Sequence, residues 1–238
     1  MITFGRDGWF GVISDEIGFE SIGMVAQAVS DYLNDTPQPG PVVLGYDTRF
    51  LSREYAWAIQ RVLTANRIRV YMHKKPVPTA FLSMSVQLLN AGLGIMVTGE
   101  GRPARYSGIT FRLPPGMPVS AQWMDNLFHY LYRRYPRYSE DSRQLLQYID
   151  IFSEYMDNLE KYINFELIKK VNASISSDSF FGSVGTYLQD MMRRFDIDGL
   201  HIRTKPNPGF QDSIPQPNER NMNPVSNLIA QKKGNLGL

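Results

Sequence analysis

Hydrophobic residues recur at helical spacing in three early segments of the chain, and a short apolar run follows each of them. The helical patterns cover residues 19–33, 53–67 and 79–90, and the apolar runs cover residues 42–47, 68–73 and 91–99. Apolar side chains three or four positions apart lie on one face, which predicts amphipathic helices. The short runs are bounded by Gly, Pro or polar residues, which predicts buried strands.

This alternation of strands and helices predicts an α/β domain. Strands that alternate with helices of about 12 residues form a parallel or mixed sheet with helices on both faces, which is a three-layer α/β/α arrangement. Ligands bind at the carboxyl ends of the strands in such sheets. The segments YDTR (46–49) and TGEGRP (98–103) both follow predicted strands. They are therefore the first candidates for a functional site.

The pattern changes after residue 118 and then returns. Residues 120–135 are predicted as a helix and residues 143–163 as a long helix or a helix pair. Later segments predict strands at 173–178 and 199–204, and helices at 186–196 and 224–234. We expect a first domain over residues 1–140, a helical connection over 141–164 and a partial second α/β domain over 165–238. Two strands are too few for a sheet of ordinary size, so the second domain is expected to be truncated.

Composition narrows the function classes. The chain has 238 residues, 43% of them hydrophobic and 20% charged, which is typical of a globular protein. A net charge of +2 argues against a general polyanion binder. Zero Cys excludes disulfides, thiolate metal sites and Cys nucleophiles. We see neither a signal peptide nor an apolar run of membrane-spanning length, so we expect a cytoplasmic protein without direct membrane insertion.

Six segments, taken in order, resemble the α-D-phosphohexomutases, the family of phosphoglucomutase and phosphomannomutase. They read FGRDGWFG, VVLGYDTRFLSREYAWAIQRVLTANRIRVY, KPVPTAFLSMSV, IMVTGEGRPARYSGITF, INFELIKK and KPNPGFQDSIPQPNERN. The resemblance runs through nearly all of the chain and implies the family's first domain with most of its second. Members of this family act in carbohydrate metabolism, where they move a phosphoryl group between two positions of a hexose through a phosphorylated serine.

The catalytic motifs of the family are degenerate in this sequence. The phosphoserine loop TASHNP corresponds to residues 98–103, with Glu100 at the serine position and Gly101 at the histidine position. Thr110 stands where the family's YNGIK has the lysine that assists proton transfer. The N-terminal motif FGTDGxRG ends here with Phe10 instead of its arginine, and has Arg6 in place of its threonine. The resemblance thus implies that no catalytic residue of this set is intact.

The remaining parts of a mutase are also expected to be missing. The family's second domain continues into an Asp-rich DGDxDR loop that binds Mg²⁺, and two further domains read the sugar and grip the distal phosphate. The sequence stops at residue 238, before that loop, so we expect no metal or other cofactor. The resulting hypothesis is a catalytically inactive homologue that acts as a protein-binding, scaffold or regulatory subunit. The alternative is a fragment or split subunit of an active phosphohexomutase, and a reading frame that continues past residue 238 would favour it.

Two of the altered positions allow two interpretations each. In the first interpretation, Glu100 mimics a phosphoserine with its fixed negative charge. In the second, it is the solvated polar residue of an exposed Gly-Glu-Gly turn. Arg102 or Arg105 could form an ion pair with it. Phe10 is either core in a closed cleft or an aromatic anchor at an interface. Trp9 is expected to be core.

Asp47 and Arg49 match the family and are candidates for loop support, with an ion pair at the strand end as the simpler interpretation. Arg6 and Arg102 are further candidates for ligand or loop contacts. The three histidines, His73, His129 and His201, lack metal-ligand spacing.

A stretch at residues 130–143 mixes Arg with Tyr. Such mixtures bind single-stranded nucleic acid in some proteins, but this one is short and acids follow it, so we expect no nucleic acid. A protein-docking surface fits better, because Arg and Tyr are enriched at interfaces. The candidates are Arg133, Arg134, Tyr135 and Tyr138. An unfinished second domain would expose a sheet edge, so we expect a protein partner or self-association. We expect any binding of a sugar phosphate to be weak.

Overall fold

The computed structural model describes residues 2–37, 39–139, 144–171, 174–231 and 235–238. The chain divides into two compact units. Unit 1 comprises Met1–Glu100 and Arg105–Asp150, and unit 2 comprises Gly101–Ala104 and Ile151–Leu238. Both units combine helices with a β-sheet, so the predicted α/β class is confirmed.

Unit 1 contains a mixed sheet, as predicted. Its elements are β1 (Gly8–Val12), α1 (Phe19–Asn34), β2 (Val42–Tyr46), α2 (Ser52–Ala65), β3 (Val70–His73), α3 (Thr79–Leu88), β4 (Leu93–Val97), β5 (Tyr106–Leu113), β6 (Met117–Pro118), α4 (Ala121–Phe128) and β7 (Leu146–Ile149). The strand order is β1-β5-β4-β2-β3-β7, with β6 paired to β5. Strands β1 and β4 run antiparallel to β5, while β4, β2, β3 and β7 are mutually parallel.

Helices cover both faces of this sheet, so the three-layer prediction is confirmed. On one face, α1, α2 and α4 pack against inward side chains such as Leu44 and Ile95 in the main hydrophobic core. On the opposite face, α3 lies close to the sheet because two strand positions lack a side chain. A Cβ at Gly94 would lie 2.6 Å from Val86 Cγ2, and one at Gly45 would lie 3.3 Å from Leu82 Cδ1.

Strand β7 corrects the helix predicted over residues 143–163. Leu146–Ile149 is a strand that extends the sheet in parallel register with β3, Val70 facing Leu146. The helix α5 begins only at Phe152 and ends at Leu159. The apolar spacing of this segment also fits a helix, and the partner strand lies far away in sequence, so local periodicity could not reveal the strand. The first residues of the expected helical connection, at 141–143, lie outside the described residues.

Unit 2 contains a small parallel sheet. Its elements after α5 are α6 (Phe165–Lys170), β8 (Ile175–Asp178), α7 (Gly185–Arg194), β9 (His201–Ile202), a 3-10 turn (Phe210–Asp212), α8 (Glu219–Ala230) and β10 (Leu236–Gly237). The strand order is β10-β8-β9, so β10 is a third strand that the sequence pattern did not predict. Ile175, Met192 and Ile197 form one buried hydrophobic cluster of this unit.

The last helix, α8, begins at Glu219 rather than at residue 224. The side chain of Asn218 accepts a hydrogen bond from the backbone N–H of Asn221 and caps the first turn. Pro224 therefore lies inside the helix instead of at its start. Among the helices of the described residues, none is both long enough and apolar enough to cross a membrane.

Candidate functional site

The two candidate segments of the sequence meet at one edge of the sheet. Strands β2 and β4 are parallel neighbours, with Tyr46 opposite Val97, so the residues that follow both strands lie side by side. Asp47 directly follows β2 and Thr98 directly follows β4. The expected position of YDTR and TGEGRP at the carboxyl ends of the strands is therefore confirmed.

The carboxylate of Asp47 organises this edge. Its Oδ2 accepts hydrogen bonds from Thr98 Oγ1 at 2.8 Å and from the backbone N of Gly99 at 3.2 Å. Its Oδ1 accepts from Ser52 Oγ at 2.6 Å and from the backbone N of Arg49 at 3.0 Å. Asp47 thus joins the start of α2 to the loop after β4.

The guanidinium of Arg49 completes the connection and is buried by it. Nε donates to Asp47 Oδ2 at 3.1 Å, Nη1 to the carbonyl of Tyr106 at 3.1 Å and Nη2 to the carbonyl of Glu100 at 2.5 Å. The Arg49 side chain is 0% exposed. The expected ion pair is present, and the cation supports the loop from within instead of facing solvent.

Gly99 is required by this packing, a role that its local sequence does not predict. A Cβ at position 99 would lie 2.5 Å from both Cζ and Nε of Arg49, and 2.7 Å from the carbonyl oxygen of Tyr106. Real Cβ atoms do not approach neighbours so closely. The sequence feature that could have indicated this role is that Gly99 stands where the family motif TASHNP has Ala. Thr98 and Ser52 were also missed, although both are short hydroxyl residues beside the candidate segments.

Glu100 lies at the tip of the loop in a left-handed backbone conformation, with φ of +52°. Its backbone N–H donates to Thr98 Oγ1 at 2.9 Å, and its side chain is exposed. Left-handed geometry is uncommon for a residue with a Cβ, so the hydrogen bonds of the loop hold it there. Both interpretations of Glu100, phosphoserine mimic and solvated turn residue, remain predictions.

Phe10 and Thr110 lie on the sheet beside the loop. Phe10 on β1 pairs with Gly108 on β5, and a Cβ at Gly108 would lie 2.7 Å from Phe10 Cδ1, so the ring covers this glycine. Phe10 is half-buried, whereas its neighbour Trp9 is core at 3% exposure, as expected. Thr110 is fully buried at 0% exposure, so the position of the family's lysine does not face solvent.

The remaining loop candidates are placed differently. Arg6 is exposed, in a turn closed by the backbone N–H of Gly5 donating to the carbonyl of Gly8 at 2.7 Å. Arg102 is half-buried. A Cβ at Gly101 would lie 2.6 Å from Gln216 Nε2, so a histidine at this position requires the Gln216 side chain to move.

The Arg/Tyr stretch lies along helix α1. Arg134 Nη1 is 3.6 Å from Asp31 Oδ1, and the backbone N–H of Arg137 donates to Gln27 Oε1 at 3.0 Å. Arg133 lies over the ring of Tyr130 at 4.2 Å. Tyr135 is 87% exposed, and Tyr138 is about half exposed. The docking role of this stretch stays a prediction.

The carboxylates and histidines of the described residues do not cluster. No group of three or more His, Asp or Glu side chains that could hold a metal ion lies together in the described part of the chain. Two histidines have hydroxyl neighbours instead: His73 Nε2 is 3.0 Å from Ser85 Oγ, and His201 Nδ1 is 2.8 Å from Ser177 Oγ. Burial lowers the pKa of His73 to about 4.

The chain matches known proteins over most of its length. The family profile described as phosphoglucomutase/phosphomannomutase, alpha/beta/alpha domain I, matches residues 1–132. A phosphoglucomutase of Staphylococcus epidermidis is 28% identical over 209 residues, which make up 84% of this chain and 38% of that protein. A phosphoglucomutase of Staphylococcus aureus MRSA252 is 26% identical over 219 residues, or 87% of this chain and 39% of the relative. The chain therefore spans less than half the length of these relatives.

Solved structures agree with the sequence matches. A provisionally assigned phosphomannomutase from Thermus thermophilus superimposes with a TM-score of 0.89 at 28% identity, covering 95% of this chain and 52% of that one. The open form of Paramecium parafusin, a phosphoglucomutase, gives a TM-score of 0.81 at 18% identity, covering 98% and 50%, and this likeness shows the fold alone. The resemblance inferred from the motifs is confirmed, and the chain belongs to the phosphoglucomutase/phosphomannomutase family.

Proposed function

We propose that this chain is a family member without mutase activity that serves as a protein-binding, scaffold or regulatory subunit. The observation that carries the proposal is the loop at residues 98–100. This loop is held by hydrogen bonds to Asp47 and Arg49. A glutamate stands at the position of the family's phosphorylated serine.

The chemistry of phosphoryl transfer explains why this substitution matters. The reaction depends on positioning and on neutralising charge over the transferring group. A carboxylate can form an acyl phosphate, but the negative charge that develops then needs a cation. Arg49 is bound to Asp47 and to two backbone carbonyls, and its side chain has no exposed surface. It is therefore poorly placed to stabilise a phosphate at Glu100.

The other changed positions point in the same direction. Thr110 is fully buried and carries no amine for proton transfer. The Phe10 ring covers Gly108 and brings no positive charge to the edge of the sheet. The ordered loop thus keeps a defined shape, while Gly101, Thr110 and Phe10 stand at the positions of the family's histidine, lysine and arginine.

The alternative is that the chain is a fragment or split subunit of a phosphoglucomutase or phosphomannomutase that rearranges hexose phosphates by phosphoryl transfer. The length of the chain relative to its relatives favours this possibility, since the remaining domains could come from further sequence or from another polypeptide. In that case Glu100 would have to act as the phosphate carrier.

A phosphorylation experiment tests the proposal. The chain is incubated with labelled glucose 1,6-bisphosphate and Mg²⁺, beside a Glu100→Gln variant, and bound label is measured with and without hydroxylamine. We expect no incorporation and no interconversion of glucose 1-phosphate and glucose 6-phosphate. A label on the wild type that hydroxylamine releases and that Glu100→Gln abolishes would identify an acyl phosphate and overturn the proposal.

The partner is tested separately by affinity purification from the native host under mild salt, followed by mass spectrometry. A stoichiometric protein partner unrelated to sugar phosphate chemistry is expected. A partner that carries a DGDxDR loop and the sugar-reading domains would favour the split-enzyme alternative instead.

A further inference from the structure

The described part of the Arg/Tyr stretch, residues 130–139, is fastened to one stripe of helix α1. Gly23, Gln27 and Asp31 are buried on α1 and follow each other four residues apart, so they lie on one helix face. A Cβ at Gly23 would collide with the hydroxyl oxygen of Tyr138. The missing side chain at position 23 therefore leaves room for the stretch to pack against the helix.

A buried polar network holds the backbone of the stretch. The backbone N–H of Arg137 donates to Gln27 Oε1 at 3.0 Å. Asn66 Nδ2 donates to the same oxygen at 3.1 Å, and Gln27 Nε2 donates to Asp31 Oδ1 at 3.0 Å. Gln27 is only 1% exposed. Since a buried and satisfied polar network specifies one arrangement, these bonds fix the stretch in place.

The side chain of Arg133 is oriented by aromatic rings. Its guanidinium lies over the Tyr130 ring at 4.2 Å. Tyr130 meets Tyr32 edge to face at 5.6 Å, and Tyr32 meets Trp123 in the same way at 5.3 Å. Trp123 belongs to the main hydrophobic core. A guanidinium stacked on a ring keeps its N–H groups at its edge, where they can bind a carboxylate through two parallel hydrogen bonds.

The charged groups of the stretch face solvent. Tyr135 is 87% exposed, the Arg134 side chain is 62% exposed, and Arg133 and Arg137 are also exposed. Within the described ranges, neither Arg133 nor Arg137 lies at ion-pair distance from a carboxylate. Arg134 reaches only Asp31, at 3.6 Å, which is too long for a hydrogen bond. The guanidinium donors are therefore available to carboxylates from outside the chain.

We propose that this arginine patch, composed of Arg133, Arg134 and Arg137, binds an acidic segment of a partner protein. The arginines pair with carboxylates of that segment, and the exposed ring of Tyr135 contacts one of its apolar side chains. Side chains that are held in place before binding lose little entropy when the partner arrives. The inference rests on the proposed function as a protein-binding subunit and names the chemistry of its partner.

The size of the patch favours an acidic peptide over other anionic partners. A nucleic acid is bound through many phosphates along an extended basic surface, and the net charge of the chain is only +2. Anionic membranes are recognised by clusters of about 4–8 basic residues. Three arginines around one tyrosine fit a short segment with a few carboxylates, since each guanidinium can bind one of them through two hydrogen bonds.

The test measures binding of a short acidic probe to the full chain. A fluorescein-labelled peptide of repeated Glu-Glu-Gly is titrated by anisotropy beside a Gln-Gln-Gly peptide of equal length. We expect only the acidic peptide to bind, and its affinity should fall as salt rises from about 50 to about 200 mM. Arg133→Glu and Arg134→Glu are each expected to weaken binding at least about tenfold, because a like charge then faces the peptide.

A matched control separates the patch from the overall charge. Arg193→Glu makes the same change of charge at a side chain that is 75% exposed in unit 2, and it is expected to leave the affinity within about twofold. Arg133→Lys keeps the charge but cannot bind a carboxylate through a planar fork, so it should lose part of the affinity. Circular dichroism of each variant verifies the fold.

Three results would overturn the inference. They are equal binding of the two peptides, an equal loss in Arg193→Glu and Arg133→Glu, and tighter binding of single-stranded DNA or of phosphatidylserine vesicles than of the acidic peptide. Each of them leaves the phosphorylation experiment on Glu100 unaffected. Conversely, a label on Glu100 in a chain that still binds the peptide would refute the loss of mutase activity alone, so the two failures are distinguishable.

Discussion

At the scale of single residues, the partly buried Asp47 and the buried Arg49 form an ion pair that also makes hydrogen bonds to the surrounding fold. Asp47 accepts from two backbone N–H groups, two hydroxyls and the guanidinium, while Arg49 also reaches two carbonyls. A buried pair is stable only when such additional hydrogen bonds compensate for lost hydration. These hydrogen bonds hold the loop at residues 98–100 in its shape, and they do not depend on the side chain at its tip.

Gly99 provides the sharpest test of this packing. The change Gly99→Ala is expected to destabilise the protein by about 1–3 kcal/mol, because the added methyl group would displace the Arg49 guanidinium or the Tyr106 carbonyl. Urea unfolding followed by circular dichroism measures the difference. Gly5→Ala is the control, since its Cβ would meet nothing closer than 3.4 Å, and it is expected to leave stability within about 0.5 kcal/mol. Equal effects of the two substitutions would contradict the close approach of Arg49.

At the scale of elements, the contact between β3 and α3 contains a buried histidine. His73 at the end of β3 is 2% exposed and its Nε2 is 3.0 Å from Ser85 Oγ on α3. Ser85 Oγ donates in turn to the carbonyl of Phe81 at 2.9 Å. Since the hydroxyl proton of Ser85 goes to Phe81, the neutral imidazole can donate to Ser85 Oγ, whereas a protonated imidazole would place a charge in an apolar layer.

The stability of the protein is therefore expected to fall in mild acid. Desolvation lowers the pKa of His73 from 6.5 to about 4, although Asp150 opposes the shift. The unfolded chain binds the proton more tightly than the folded chain does. The neutral His73 therefore contributes fully to the free energy of unfolding above pH 6.5, and this contribution is lost as the pH falls towards 4. The loss amounts to as much as about 3 kcal/mol.

Unfolding free energies of wild type and His73→Gln at several pH values check this expectation. Part of the pH dependence between 7 and 4 should disappear in the variant. The exposed His129 serves as the control, and His129→Gln should retain the wild-type profile. Identical pH profiles for wild type and His73→Gln would show that His73 is protonated at no cost to the fold.

At the scale of the whole molecule, the two units have different cores. The main cluster of unit 1 combines side chains from α1, α2, α4 and the central strands, many of them fully buried. The described part of unit 2 has fewer buried apolar residues, which are Ile151, Met156, Ile175, Phe181, Tyr187, Met192, Ile197, Phe210 and Val225. Since burial of apolar area is the main source of stability, unit 1 is expected to be the more stable unit.

Hydrogen exchange of the full chain measures this difference directly. Amides of β2 and β4, central in their sheet, are expected to exchange at the rate of global unfolding. Amides of β8, although β8 is also a central strand, are expected to exchange faster through opening of unit 2. Equal protection of β4 and β8 would show that the chain unfolds as one cooperative unit.

Local sequence was sufficient to predict the elements whose apolar period is long and regular. Helices α1, α2 and α3 and strands β2, β3 and β4 were predicted with the correct type, because one buried face or a fully buried run leaves a local signature. The motifs also identified the family and located the candidate site, since the carboxyl ends of neighbouring parallel strands must meet. Asp47, Arg49 and Glu100 were found in this way.

Other elements and roles depend on distant partners and became visible only in the folded chain. β7 is a strand because β3 offers a parallel edge. The need for Gly99 arises from Arg49, which lies 50 positions earlier in the chain. No local pattern records such contacts, since they form when segments far apart in sequence are packed together.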